Sequence, residues 1–371
     1  MFFRTSFARF KPPVRKKMSS TRTSGAIIMT VMNNTRENSI DTLKGLGILI
    51  VVASHCDADK RMFYSYPFSF TVPLFFMISG YLTSNRGAFF PFALKKFRRL
   101  IVPYWLWLVL SCDIFMSFFN FRLPNFPANL WQAFAFFGAP LWGFPIVNVP
   151  LWFLPALFAV SLMLYFCVKL PRKILLWLAA ALLFTTLAWQ KQTDRNRIFS
   201  YSTFPPAVFF GILGILAARA KNFFKTNMTL APTIACLAVG FGLSVGRWAD
   251  IFAANSPLFF MAAVASCAGW YGVALKADCR FLRFVGQNSL PLLGLHFPLM
   301  QPIRLKLLFE IPNHPYNASL TDNIMLFLCV VGTALALIGI YRAIERKFPK
   351  IKDAGIAAAV ALLAFRISRN F

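Results

Sequence analysis

The sequence predicts an all-α fold, a polytopic bundle of about ten transmembrane helices with both termini in the cytoplasm. Three observations carry this. Of 371 residues, 58% are hydrophobic and only 14% charged, with a mean hydropathy of +0.61. An ordinary soluble domain is about 45–50% apolar and about 25% charged, so too few polar side chains are present to cover a globule. The apolar residues, 44 of them Phe, fall in blocks near the length of a membrane span. Finally, the basic residues sort between alternate loops. Soluble enzyme, secreted domain and disordered scaffold are all excluded on these grounds.

A helix crosses the hydrocarbon core with about 20 mostly apolar residues. Such blocks occupy roughly 41–56, 67–85, 100–119, 150–168, 174–190, 203–218, 229–246, 256–275, 284–302 and 323–341. The first is short. The ninth is interrupted by Pro291 and Pro298, and an irregular membrane helix packs inside protein or lines a cavity. From a cytoplasmic N-terminus, the inner loops carry 19 Lys and Arg, from Arg86 to Lys352, and the outer loops 9, from Lys60 to Lys306. The N-terminal arm adds eight to the inner side. The formal charge of +27 is therefore an orientation signal, and nucleic-acid binding loses its main support.

The chain divides into a basic arm (1–38), a transmembrane domain (39–349) and a basic tail (350–371). The arm has no acid before Glu37. Its apolar run Gly25–Met32 is short for a signal peptide, and no small-residue cleavage site follows. A disordered cytoplasmic arm, or a true start at Met29 or Met32, fits better. In the tail, Gly355–Phe365 is too short to span and reads as an interfacial helix. The seven cysteines lie singly, without metal or redox spacing, and read as small apolar residues. Phosphate-binding loops, dinucleotide fingerprints and transporter-type internal repeats are not seen.

Charge inside a bilayer costs at least about 2.5–3.5 kcal/mol at a helix centre, so each instance asks for a reason. The first block holds the densest set. Asp41 and Lys44 are spaced i, i+3 and pair on one helix face. His55 lies eleven residues beyond Lys44, on the same face and roughly 16 Å away. Lys44 reads either as a snorkelling anchor or as a functional cation. His55 reads either as a packed interfacial histidine or as an acid–base group. Gly45 and Gly47 suit close helix packing.

These residues resemble a known family. Lys44 and His55 match the Arg/Lys, ten residues, His signature of the first helix in the acyltransferase-3 family of integral-membrane acyltransferases. The run Val72-Pro73-Leu74-Phe75-Phe76-Met77-Ile78-Ser79-Gly80-Tyr81 is similar to that family's second helix. Lys95-Lys96-Phe97-Arg98-Arg99, followed by Pro103-Tyr104-Trp105, resembles its basic segment and aromatic helix start. Leu151-Trp152-Phe153-Leu154, Gly286-Gln287-Asn288-Ser289-Leu290 and His296-x-Pro298 follow in the expected order. Together they cover about residues 37–349, and Lys in place of Arg brings the chain nearest to fucose 4-O-acetylase-like members.

The resemblance implies transfer of an acetyl or similar acyl group from cytoplasmic acyl-CoA to a hydroxyl of a cell-envelope or exported carbohydrate. Acyl-CoA is then a co-substrate, with no bound cofactor and no metal. The partners are a carbohydrate or glycolipid acceptor and the lipid bilayer, and the location is the bacterial inner (plasma) membrane. His55 becomes general base or acyl carrier, with Lys44 and its partner Asp41 neutralising charge on the donor path or a thioester oxyanion. Lys95, Lys96, Arg98 and Arg99 offer a dock for the CoA phosphates, a use compatible with fixing topology. Ser79, Trp152, Asn288, Ser289 and His296 are candidates for the pathway or acceptor site. Each also has a structural reading: Ser79 as a packing residue beside Gly80, Trp152 as an interfacial belt residue, Asn288 and Ser289 as polar glue between helices, and His296 as a packed histidine. The rival function is a multi-span transporter of a small anionic or carbohydrate solute, against which the missing repeat symmetry and the Lys44–His55 face both argue.

Overall fold

A computed structural model describes residues 37–57, 66–84, 87–119, 148–189, 203–245, 251, 254, 256–308 and 319–347. The regular elements among them are all helical. In chain order they are α1 (Asn38–Cys56), α2 (Tyr66–Tyr81), α3 (Phe89–Phe119), a 3-10 turn (Val149–Trp152), α4 (Phe153–Cys167), α5 (Arg172–Trp189), α6 (Phe204–Arg219), α7 (Lys221–Asn227), α8 (Leu230–Ser244), α9 (Pro257–Lys276), α10 (Arg280–Gln287), α11 (Ser289–Leu308) and α12 (Leu320–Lys347). The basic arm and the tail segment Gly355–Phe365 lie outside the described residues.

Each of the ten apolar blocks falls on helix, the one open-ended way to satisfy backbone groups where there is no water. By length and composition, four segments can cross a membrane: Asn38–Cys56, Val149–Cys167, Pro257–Lys276 and Leu320–Lys347. The pair α6 and α7, bent by 77°, makes a fifth if taken as one span. The other blocks are less simple, because α2 and α8 are only 16 and 15 residues long and α3 opens on basic turns.

α1 is the hub. It packs against α2, α9, α10, α11 and α12, and two of its neighbours, α11 and α12, share a core with it around Ile48, Val52, Leu292, Leu295 and Val330. A second core around Phe76, Phe210, Phe259 and Phe260 ties α2 to α4, α6 and α9. In lipid, packing of this kind and close backbone approach replace the hydrophobic drive. Gly45 of α1 and Gly286 of α10 permit such an approach. A Cβ at Gly45 would meet the carbonyl of Leu282, and one at Gly286 the carbonyl of Asp41. α2 and α6 meet in the same way, Gly80 on the carbonyl of Gly211 and Gly214 on that of Met77.

The ninth block departs from its expected shape. The break lies at Asn288, between α10 and α11, and not at Pro291 or Pro298. Pro291 occupies the first turn of α11, where an N–H has no intrahelical partner to lose. Pro298 and Pro302 lie within continuous helix. Pro298 cannot donate to the carbonyl of Gly294, four residues back. That carbonyl instead accepts the side-chain amide of Asn148 at 3.0 Å, and the same Nδ2 donates to Ser111 Oγ at 2.9 Å. The neighbouring helix α3 and the 3-10 turn thus repair the gap that the proline leaves.

Candidate active site

At the N-terminal end of α1 the sequence pair forms as spaced. Lys44 Nζ lies 3.3 Å from Asp41 Oδ1, and Gln287 of α10 donates to Asp41 Oδ2, also at 3.3 Å. Asp41 is buried, and these contacts help to offset the cost of burying its charge. One residue on, Thr42 donates to Asp278 Oδ1 at 2.8 Å, and Arg283 lies 3.4 Å from the other oxygen of that carboxylate. The first-helix motif and the Gly286-Gln287 motif, far apart in sequence, are therefore one polar junction closed by the Gly45–Gly286 contact.

The C-terminal end of the unbroken helix holds His55, about 16 Å from Lys44 by helical rise. Lys44 and His55 therefore cannot touch the same reacting atom. Beside His55 stands His296 of α11, with ring centroids 5.1 Å apart and planes tilted by 45°. Phe68 and Phe297 wall the pair edge-on at 6.5 and 6.3 Å. Both rings are tied at Nδ1: His55 to the carbonyl of Val51 at 2.9 Å, His296 to those of Leu293 at 2.8 Å and Leu292 at 3.2 Å. A carbonyl only accepts, so each Nδ1 carries the proton and each neutral imidazole keeps its lone pair on Nε2. His296 is fully buried, and among the described residues its Nε2 has no hydrogen-bond partner. His55 is partly exposed.

The basic segment is split by the face of α3. Lys95, Arg98 and Arg99 are exposed, as a dock for phosphates requires. Lys96 turns inward, over the ring of Phe92 at 5.5 Å, and donates to Ser161 Oγ of α4 at 3.3 Å. Ser161 Oγ in turn lies 3.2 Å from Ser79 Oγ of α2. Burial first, and then the nearby charges of Arg99 and Lys95, push the Lys96 ammonium down to about 8. Lys96 is thus separated from the other three, and Ser79 is joined to a cation through a buried hydroxyl.

The remaining expected residues divide. Trp152 is 7% exposed and packs into the core with α5 and α6. Asn288 is buried, donates to its own helix at Phe284 O, 2.7 Å away, and caps α10. Ser289 opens α11. Among the described residues no group of three or more His, Cys, Asp or Glu could hold a metal.

Sequence reasoning missed several polar residues. Asp57 follows His55 by two positions, is buried, and accepts from Asn323 of α12 at 3.1 Å. Its closeness to His55 in sequence was a usable signal. Asn148 and Ser161 carried none, because each matters only through partners on other helices.

The model of the acyltransferase domain family known as acyltransferase-3 matches residues 37–343, most of the chain. The chain belongs to that family. No curated protein and no solved structure matches it. An acyltransferase of this kind acts on an acyl donor and an acceptor, and the apolar helices make this one an integral membrane protein. An imidazole whose Nδ1–H is held by a carbonyl keeps Nε2 as its basic atom. Three exposed cations, Lys95, Arg98 and Arg99, stand in the first turns of α3.

Proposed function

We propose that this membrane acyltransferase moves an acetyl group, or a similar short acyl group, from cytoplasmic acyl-CoA to a hydroxyl of a cell-envelope carbohydrate. In this reading the chain has ten spans with both termini inside and sits in a bacterial inner membrane. The observation that carries the chemistry is the His55–His296 pair. With Nδ1–H of His55 held by Val51 O, its Nε2 is the atom that removes the acceptor proton, or that carries the acyl group transiently. Lys95, Arg98 and Arg99 neutralise the CoA phosphates, and Lys44, held by Asp41, lines the donor path between them and His55. The acceptor is a carbohydrate by family resemblance to fucose 4-O-acetylase-like enzymes, and the enzyme is an O-acetyltransferase on the same basis.

Membranes bearing wild type, His55→Ala or Lys44→Ala, supplied with labelled acetyl-CoA, test this directly. Label should enter glycan with wild type and fail to do so with His55→Ala. Full transfer by His55→Ala would overturn the assignment of the base. Movement of a labelled solute with no covalent product would replace transferase by transporter. Reporter fusions should place residues 86–99 in the cytoplasm.

A further inference from the structure

We propose that Ser79 is a nucleophile that takes the acyl group from the thioester as a transient serine ester, activated by Lys96 through Ser161. This rests on the acyl-CoA reading above but not on the role given to His55. Three helices build the site. α2 ends at Tyr81, and Thr83 Oγ1 donates to Ser79 O at 2.8 Å, closing the last turn. The contacts of Gly80 and Gly214 press α2 onto α6, and a Cβ at Gly211 of α6 would press Leu164 of α4. α2 and α4 are thereby held with Ser79 and Ser161 facing each other. α3 closes the group by turning Lys96 toward α4, where Phe97 also meets Phe158 at 6.1 Å between centroids.

The order Lys96, Ser161, Ser79 has the logic of a serine nucleophile served by a lysine base through a second hydroxyl. Ser161 is fully buried and cannot meet a substrate, whereas Ser79 is partly exposed. The roles follow from that difference. A lysine serves as a base only when neutral. Burial and the flanking charges of Arg99 and Lys95 bring that state nearer to neutral pH, and no carboxylate pairs with Lys96 among the described residues. The exposed cations Lys95, Arg98 and Arg99 lie on the same helical segment, so a CoA held there approaches with its arm near this group.

The step balances without a further reactant. Ser79 Oγ attacks the thioester carbonyl carbon while its proton passes to Ser161 Oγ, and Ser161 passes its own proton to the amine of Lys96. The C–S bond breaks, the departing thiolate takes a proton from water, and Lys96 keeps the proton it received until Ser161 relays it back to Ser79 Oγ when the ester is cleaved. Thioester and serine hydroxyl become serine ester and free thiol. Attack on that ester by an acceptor hydroxyl, or by water, restores Ser79. His55 packs against Phe68, eleven residues before Ser79 on α2, so the two groups are roughly 16 Å apart along the helix. They serve separate halves of the reaction.

The full chain, purified in detergent, is mixed with labelled acetyl-CoA in a single turnover, quenched in acid and digested. The peptide containing Ser79 should carry one acetyl group. Ser79→Ala should abolish the label. Ser79→Cys should keep a label that neutral hydroxylamine releases, a readout no packing role produces. Lys96→Met should slow labelling by about 10²-fold or more, and Lys96→Arg should not restore it. In wild type the labelling rate should climb with pH through about 8, as Lys96 loses its proton, and this rise should vanish in Lys96→Met. Acetyl transfer by wild type with Ser79 unlabelled, or by Ser79→Ala at full rate, overturns this proposal alone. Failure of wild type to consume acetyl-CoA or succinyl-CoA overturns both it and the acyl-CoA reading.

Discussion

The imidazoles of His55 and His296 stand 5.1 Å apart, one from α1 and the other from α11. Each donates its Nδ1–H to a carbonyl of its own helix. Two lone-pair nitrogens cannot bond each other, and a buried acceptor left unpaired costs about 1–3 kcal/mol. The pair is therefore poised for a donor, which in the proposed reaction is the acceptor hydroxyl.

His55→Gln should lower kcat by about 10²–10⁴-fold, because an amide hydrogen-bonds but takes no proton. His296→Gln should cost less. If the two rings act as a unit, the double variant should be no slower than His55→Gln alone. Initial rates with labelled acyl-CoA in membranes decide it, and fully multiplicative losses would show that the rings work independently.

The ten helical blocks were legible because period and apolar length are local properties, and so was the Asp41–Lys44 pair at i, i+3. The His55–His296 contact was half legible: scarcity of histidine marked both residues, but nothing in the chain reported their distance. Ser161 was not legible at all, being one small residue in an apolar helix until Lys96 and Ser79 reach it from two others. The break at Asn288 was misplaced for a related reason. Pro298 is the stronger local signal, yet Asn148 satisfies the carbonyl it frees, while the α10 turn is capped by Asn288 itself.

The exposed cations should behave unlike Lys96. Lys95→Ala, Arg98→Ala and Arg99→Ala should each raise KM for acyl-CoA a few-fold, at about 0.2–1 kcal/mol per exposed pair, with kcat little changed. The effect should shrink as salt rises toward 1 M, where screening acts within about 3 Å. A salt-independent loss would place these residues in packing and not in phosphate binding.

Gly286→Val tests the junction of α1 and α10. A side chain there has to displace the backbone of Asp41, which no rotamer relieves. The loss should reach or exceed the roughly 1–3 kcal/mol typical of overpacking, visible as a lowered Tm in detergent and a smaller monodisperse fraction. Gly332→Val, on α12 with open space around its missing Cβ, should fold normally. Equal behaviour of the two variants would remove the close-approach argument.

The bond from Asn148 to Gly294 can be isolated by a double-mutant cycle. Asn148→Leu deprives the Gly294 carbonyl of its donor and should cost about 1–3 kcal/mol of stability. Pro298→Ala gives α11 back an N–H four residues along, so the same carbonyl gains an intrahelical partner. In the Pro298→Ala background, Asn148→Leu should therefore cost clearly less, leaving only its bond to Ser111 to be lost. Thermal unfolding of the four proteins in one detergent measures the coupling. Strict additivity would mean that the carbonyl freed by Pro298 is not what Asn148 is there to serve, and that the amide holds the 3-10 turn to α3 through Ser111 alone.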